Sequence, residues 1–340
     1  KLAGIASHTG MSEIFRLLGS DVYRILAIEQ VPGPTVPPPP PVVNYLTALR
    51  RATGRLAGCG NLERLLETAL DCLGSEFGIG HVMLLMHDEG RGRLYTLASR
   101  GYPQSGIGSE IPVGAGVIGI CARERIPIRI GFMTSEYGYG RTIRDGVEAD
   151  GQGDSLETAI PLPGLPEAGS QMAVPITAFD RLLAVLYLEN VADLHFGYDD
   201  EDALVAFAAQ LGLAMHHHQE TEELVEDVPG IEGSNPAPAG PPLLVRHFAT
   251  NDSVFIDDDY LIKGVAGAIL WTLLTDFVER RRTGFTNKGL RVDPRIRLPG
   301  VSDNLEARLV LLQRRLEERA AGIHLKKTGR GRFSLAVDRP

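Results

Sequence analysis

The sequence predicts an α+β protein with two folded domains behind an isolated helix and a spacer. Three observations carry this. Residues 43–219 mix helical periodicity with two strand pairs, residues 226–242 (EDVPGIEGSNPAPAGPP) are rich in Pro, Gly and Ser, and the chain beyond them returns to short strands, two helices and a hairpin. Pro and Gly punctuate local structure, which makes 226–242 the clearest boundary. The expected organisation is a helix and Pro-rich spacer over 1–41, a first domain over 42–225, a linker over 226–243 and a second domain over 244–340.

Ile14, Leu17, Leu18, Val22, Ile25 and Leu26 recur at helical spacing and predict one amphipathic helix from about Ser12 to Glu29. Pro37–Pro41 then enforces an extended spacer. Tyr45, Leu49 and Leu56, followed by Leu62, Leu65, Leu66, Ala69, Leu70 and Leu73, predict two further helices. The runs 81–89 and 93–101 read as strands joined at Gly90–Gly92, and 171–190 as a hairpin turning at Phe179-Asp180-Arg181. Between these pairs, 116–125 reads as a short helix after a Gly-rich turn. Asp199–Met215 reads as a closing helix whose acidic start suits its dipole.

The chain of 340 residues is 44% hydrophobic with mean hydropathy near zero, enough for two cores. No run reaches the roughly 18 apolar residues of a spanning helix, and no basic-then-apolar leader is seen, so a cytoplasmic protein without membrane contact is expected. Cys59, Cys72 and Cys121 form no CxxC pair, so neither a disulfide framework nor a metal site is expected. The net charge of −9 is unevenly spread: from Tyr260 onward there are 17 Lys+Arg against 8 Asp+Glu. A basic end on an acidic body points to a polyanionic partner for that end.

Residues 43–220 resemble the GAF family. VGAGVIGICARERIPIRI (113–130) resembles the turn and short helix beside that family's pocket, and SQMAVPITAFDRLLAVLYLEN (170–190) its central hairpin. Asn190, Phe196, Asp200 and Glu201 are similar to a motif of cyclic-nucleotide-binding members. Val191 stands where that motif has a lysine, so its lysine–aspartate pair is missing. The resemblance implies a small-molecule sensor.

The residues add their own argument for a pocket. The 131–169 segment is far longer than an ordinary connection, and such insertions commonly serve as lids. Phe132, Tyr137 and Tyr139 with Arg141 and Arg144 suit a small planar or anionic ligand. The expected site places the ligand between that lid and a floor of Met83, Leu85, Cys121, Met172 and Val174. No cofactor beyond that ligand is expected, and no nucleophile, phosphate-loop or metalloprotease motif is present, so no catalytic or metal site is assigned and the chain is expected not to be an enzyme.

Residues 246–338 resemble the effector domain of OmpR/PhoB-type response regulators: a small sheet, three helices and a basic C-terminal hairpin, the wing. The resemblance implies a winged helix that binds double-stranded DNA through 304–321. On that helix Leu305, Leu309, Leu312 and Leu316 form a stripe expected to face the core. Arg308, Arg315 and Arg319 flank it and Arg314 points away, while Lys326, Lys327, Arg330 and Arg332 form the basic wing. Ala307, Val310 and Leu311 are also expected to face outward, which leaves open an alternative, an adaptor that binds a partner protein there. The leading expectation is a homodimeric, ligand-responsive transcription regulator paired through helices at 44–57 and 200–224.

Overall fold

The computed structural model describes residues 43–131, 160–223, 242–296, 298 and 304–339. Residues 12–29 and the spacer lie outside the described residues, as does most of the 131–169 insertion. Residues 43–340 form one compact unit.

The first domain opens with α1 (Tyr45–Ala57) and α2 (Leu62–Ser75), each started by an asparagine whose side chain accepts an orphan backbone N–H: Asn44 from Thr47 and Asn61 from Arg64. Two strands follow, β1 (His81–Asp88) and β2 (Arg93–Arg100), then a short β3 (Glu110–Pro112), α3 (Gly116–Glu124) and β4 (Ile128–Ile130). The hairpin β5 (Ser170–Ala178) and β6 (Arg181–Asn190) turns through Phe179 and Asp180, both at positive φ (50° and 60°), as a tight hairpin requires. The long α4 (Tyr198–Glu223) closes the domain.

The six strands form one antiparallel sheet in the order β3-β2-β1-β6-β5-β4. Alternation sends Val82, Leu84 and Met86 to the face covered by α1, α2 and α4, and Met83 and Leu85 to the face covered by α3. On the first face Phe207 of α4 meets Phe77 edge-on at 5.5 Å. Gly212 lets α4 press against the sheet, since a Cβ there would sit 2.4 Å from the Thr177 carbonyl oxygen.

The second domain starts with a meander of β7 (Val245–Phe248), β8 (Ser253–Ile256) and β9 (Asp259–Ile262). Then come α5 (Gly264–Arg280), β10 (Gly284–Thr286), α6 (Asn287–Val292), α7 (Leu305–Glu318) and the hairpin β11 (Ile323–Gly329) and β12 (Arg332–Val337). The second sheet has the order β10-β12-β11. Thr286 caps α6 and Asn304 caps α7. Buried Asp276 of α5 gathers Arg295 at 2.8 Å and Arg282 at 3.3 Å, which ties the chain after α6 to the core.

The two halves expected as separate domains share one core. One continuous apolar cluster runs from Ala48 and Leu65 through Tyr95 and Leu97 to Leu311, Leu312 and Leu335. Among the described residues, no helix is long and apolar enough to cross a membrane.

Candidate functional site

The expected ligand floor divides between the two faces of the sheet. Met83, Leu85 and Cys121 share the face under α3 with Ala173, Val185 and Tyr187. Met172 and Val174 lie on the opposite face, in the core beneath α1, α2 and α4. Their assignment to the floor is corrected on parity: neighbours on a strand point to opposite sides, and Ala173, paired with Tyr187, lies on the α3 face where Met172 and Val174 do not. The lid residues Phe132, Tyr137, Tyr139, Arg141 and Arg144 lie outside the described residues.

The same face carries a polar group that the sequence reading missed. Glu189 is almost fully buried. It accepts hydrogen bonds from the Tyr187 hydroxyl (2.9 Å), Gln171 Nε2 (3.1 Å) and the backbone N–H of Leu165 (2.9 Å). His81 is its cross-strand partner, and His81 meets Tyr102 edge-on at 5.5 Å. The available signal was Tyr187 and Glu189, two polar-tipped residues two apart in an otherwise apolar strand, hence on one face. A carboxylate so placed can accept from a ligand N–H or O–H when the arrangement around it opens.

Cys121 is fully buried, and burial pushes its thiol up to about 12, which removes it as a thiolate nucleophile at neutral pH. The Asn190–Glu201 stretch finds a different cation from the lysine its motif lacks. Arg129 of β4 donates to Glu201 Oε2 and to the Phe196 carbonyl oxygen, both at 3.0 Å, and lies 4.3 Å over the Tyr198 ring. Asp200 accepts from the Tyr45 hydroxyl at 2.6 Å; burial and that bond push the phenol's pKa up and pin α1 to α4. Among the described residues, no group of three or more His, Cys, Asp or Glu could hold a metal.

Residues 61–215 match the family model of the GAF domain. This segment is a GAF domain. Similar solved structures include the GAF domain of a phosphoenolpyruvate-protein phosphotransferase from Acinetobacter, 19% identical with a TM-score of 0.40, covering 54% of this chain and 97% of that one. A free methionine-R-sulfoxide reductase from Neisseria meningitidis is 18% identical with a TM-score of 0.39, covering 52% and 91%. The GAF domain of a Coxiella burnetii phosphoenolpyruvate-protein phosphotransferase is 20% identical with a TM-score of 0.40, covering 53% and 98%. No curated protein matches the chain.

The helix expected to present its arginines to DNA is docked on the GAF domain instead. Arg308 Nη2 lies 2.7 Å from Asp88 Oδ2 with both side chains 5% exposed or less, and its guanidinium sits 4.4 Å over the Tyr95 ring. Arg314 donates to the Leu97 carbonyl oxygen at 2.9 Å. Buried Arg315 donates to the Leu261 carbonyl oxygen (3.0 Å) and to Glu318 (2.9 Å). Burial lowers the pKa of both Arg314 and Arg315, as expected for cations held out of water. Glu318 also meets Ser105, and Lys263 reaches Glu110 at 3.5 Å.

The expected faces of this helix are therefore corrected. Leu305, Leu312 and Leu316 are buried, but so are Ala307, Val310 and Leu311, which were expected to face outward, and Leu309 is only partly buried. Arg308 and Arg315 are buried, not on a surface. The cause is a second packing partner, the edge of the GAF sheet and α2, which spacing along one helix cannot register. Arg319, Lys326, Lys327 and Arg330 are exposed and Arg332 is partly so.

Proposed function

We propose that the chain is a ligand-responsive transcription regulator. A small molecule is sensed by the GAF domain, and double-stranded DNA is bound by residues 244–340, read as a winged helix. The order meander, helix, strand, helix, helix, hairpin supports that reading, as does the exposed basic hairpin with Lys326, Lys327 and Arg330. The ligand reading rests on the α3 face of the sheet, with Met83, Leu85 and Cys121 as apolar floor and Glu189 as hydrogen-bond acceptor for a donor-bearing ligand. The work is sensing, with no chemical step assigned.

The observation that carries the proposal is the buried Arg308–Asp88 pair. It joins the helix that would read DNA to the end of GAF strand β1, two strand residues beyond Met86. A helix so held cannot enter a major groove, so this arrangement is the resting one and DNA binding requires release. Arg315 Nη2 favours a reversible joint. It is buried with no hydrogen-bond partner among the described residues, and such a donor costs about 1–3 kcal/mol. Ligand shifts the balance only if it binds the two arrangements with different affinity. Leu46 on α1 and Val205 on α4 stand exposed, which supports pairing of two copies through these helices. Val310 and Leu311, the surface of the adaptor alternative, are buried in the same docked arrangement, so either output requires release of this helix, and the exposed basic hairpin favours DNA.

The test compares the full chain with its Asp88→Asn variant on duplex DNA at rising salt. Expected are weak binding by the parent and tighter binding by the variant, falling steeply with ionic strength. Absence of binding by both at low salt, or salt-independent binding, overturns the DNA assignment.

A further inference from the structure

We propose that a cleft between the two domains is a second small-molecule site, for an amphipathic organic anion. The cleft has a volume of about 730 Å³, within the range of ligand sites, and domain interfaces are where such sites concentrate. It is separate from the α3 face of the sheet, being lined by the end of α1, the 210–218 stretch of α4, the start of α2, Glu306 of α7 and the C-terminal hairpin.

Its two sides differ in chemistry. Leu56, Ala57, Leu213 and Ala214 make an apolar wall from α1 and α4, and Leu213 is 47% exposed on it. Lys327 and Arg330 of the hairpin bring positive charge to the cleft, and His217 and His218, about one turn beyond Leu213 and Ala214 on α4, add ring N–H donors. The one carboxylate there, Glu306, lies 3.3 Å from Lys327 Nζ, so these two charges largely answer each other and Arg330 carries the net positive charge of the cleft. The start of α2, capped by Asn61, opens onto the same space and adds its partial positive end. The chain as a whole carries −9, so a concave basic surface runs against the average and draws anions toward itself. The occupant that matches both sides has a flat or aliphatic body of modest size and one phosphate, sulfonate or carboxylate.

This site does not depend on the DNA reading, and its test contains no DNA. The probe is 8-anilinonaphthalene-1-sulfonate, whose fluorescence rises when its rings leave water. The full chain is titrated alongside Arg330→Glu, which reverses the charge at the exposed hairpin tip, and Ala57→Trp, which fills the apolar side from an exposed helix end. Both positions are exposed, so both variants are expected to fold, and far-UV circular dichroism checks it. Expected is one probe per chain, with affinity lowered about tenfold or more by Arg330→Glu and binding lost in Ala57→Trp. Absence of saturable binding to the parent overturns the proposal, as does unchanged affinity in both variants.

Discussion

Arg308 and Asp88, 220 residues apart in the chain, form an ion pair 2.7 Å long from which water is almost excluded. Breaking a buried pair from one side leaves the other charge stranded and costs about 3–5 kcal/mol, whereas replacing both by apolar groups can be neutral. Arg308→Ala is therefore expected to lower stability by about 3 kcal/mol in urea denaturation, and Arg308→Met with Asp88→Leu to recover most of it. A single variant that unfolds at the parent's urea concentration would show that the pair contributes nothing.

Thiol chemistry should distinguish the three cysteines. Burial pushes Cys121 up to about 12 and raises Cys72, while Cys59 is partly exposed near the surface of α2. Iodoacetamide at pH 8 is expected to label one site per native chain, and none in Cys59→Ser. Denaturant should raise the parent to three. Labelling of Cys121 in the native chain contradicts its placement under α3.

Acid should act through Asp276. Its hydrogen bond from Arg295, with the nearby charges of Arg295, Arg280 and Arg282, holds its carboxyl below the usual range. The folded state then binds fewer protons than the unfolded one. Stability from this group is present above about pH 4 and lost as pH falls through the folded-state value. Asp276→Asn should cost about 2 kcal/mol at pH 7, the scale of charged hydrogen bonds, and should flatten the loss of stability on acidification below about pH 4. Parallel pH profiles for parent and variant would rule this out.

The close approach at Gly212 gives a steric test. A Cβ would sit 2.4 Å from the Thr177 carbonyl oxygen, so backbone must move. Overpacking costs about 1–3 kcal/mol, against about 1 kcal/mol gained from alanine's better helix propensity. Gly212→Ala is expected to lower the melting temperature by a few degrees, while Gly54→Ala, with nothing within 4 Å, should not.

Local signals were readable and long-range ones were not. Both hairpins of the GAF domain, the short helix at 116–124 and the hairpin at 323–337 follow from alternation, turn residues and helical spacing. Period two also says that Met172 and Ala173 face opposite ways, but it does not say which way is which. That needs the partner strand, and Tyr187 supplies it only in three dimensions. The arginines of α7 failed for the same reason on a larger scale. An arginine that looks solvated on a helical projection is buried once a carboxylate far away in sequence meets it, and nothing near Arg308 announces Asp88. Glu189 lay within reach of a closer look, since a carboxylate at the end of an apolar strand needs donors wherever it is buried.

The shared apolar cluster has a consequence for how the polypeptide may be divided. Tyr95, Leu97, Leu311 and Leu312 belong to one core, so burial between the halves is itself expected to hold them together. A chain cut once within residues 224–241 should travel as a single noncovalent heterodimer, and the two pieces, co-expressed as separate genes, should find each other. Complementation of that kind turns the contact between domains into a quantity that can be weighed by dilution.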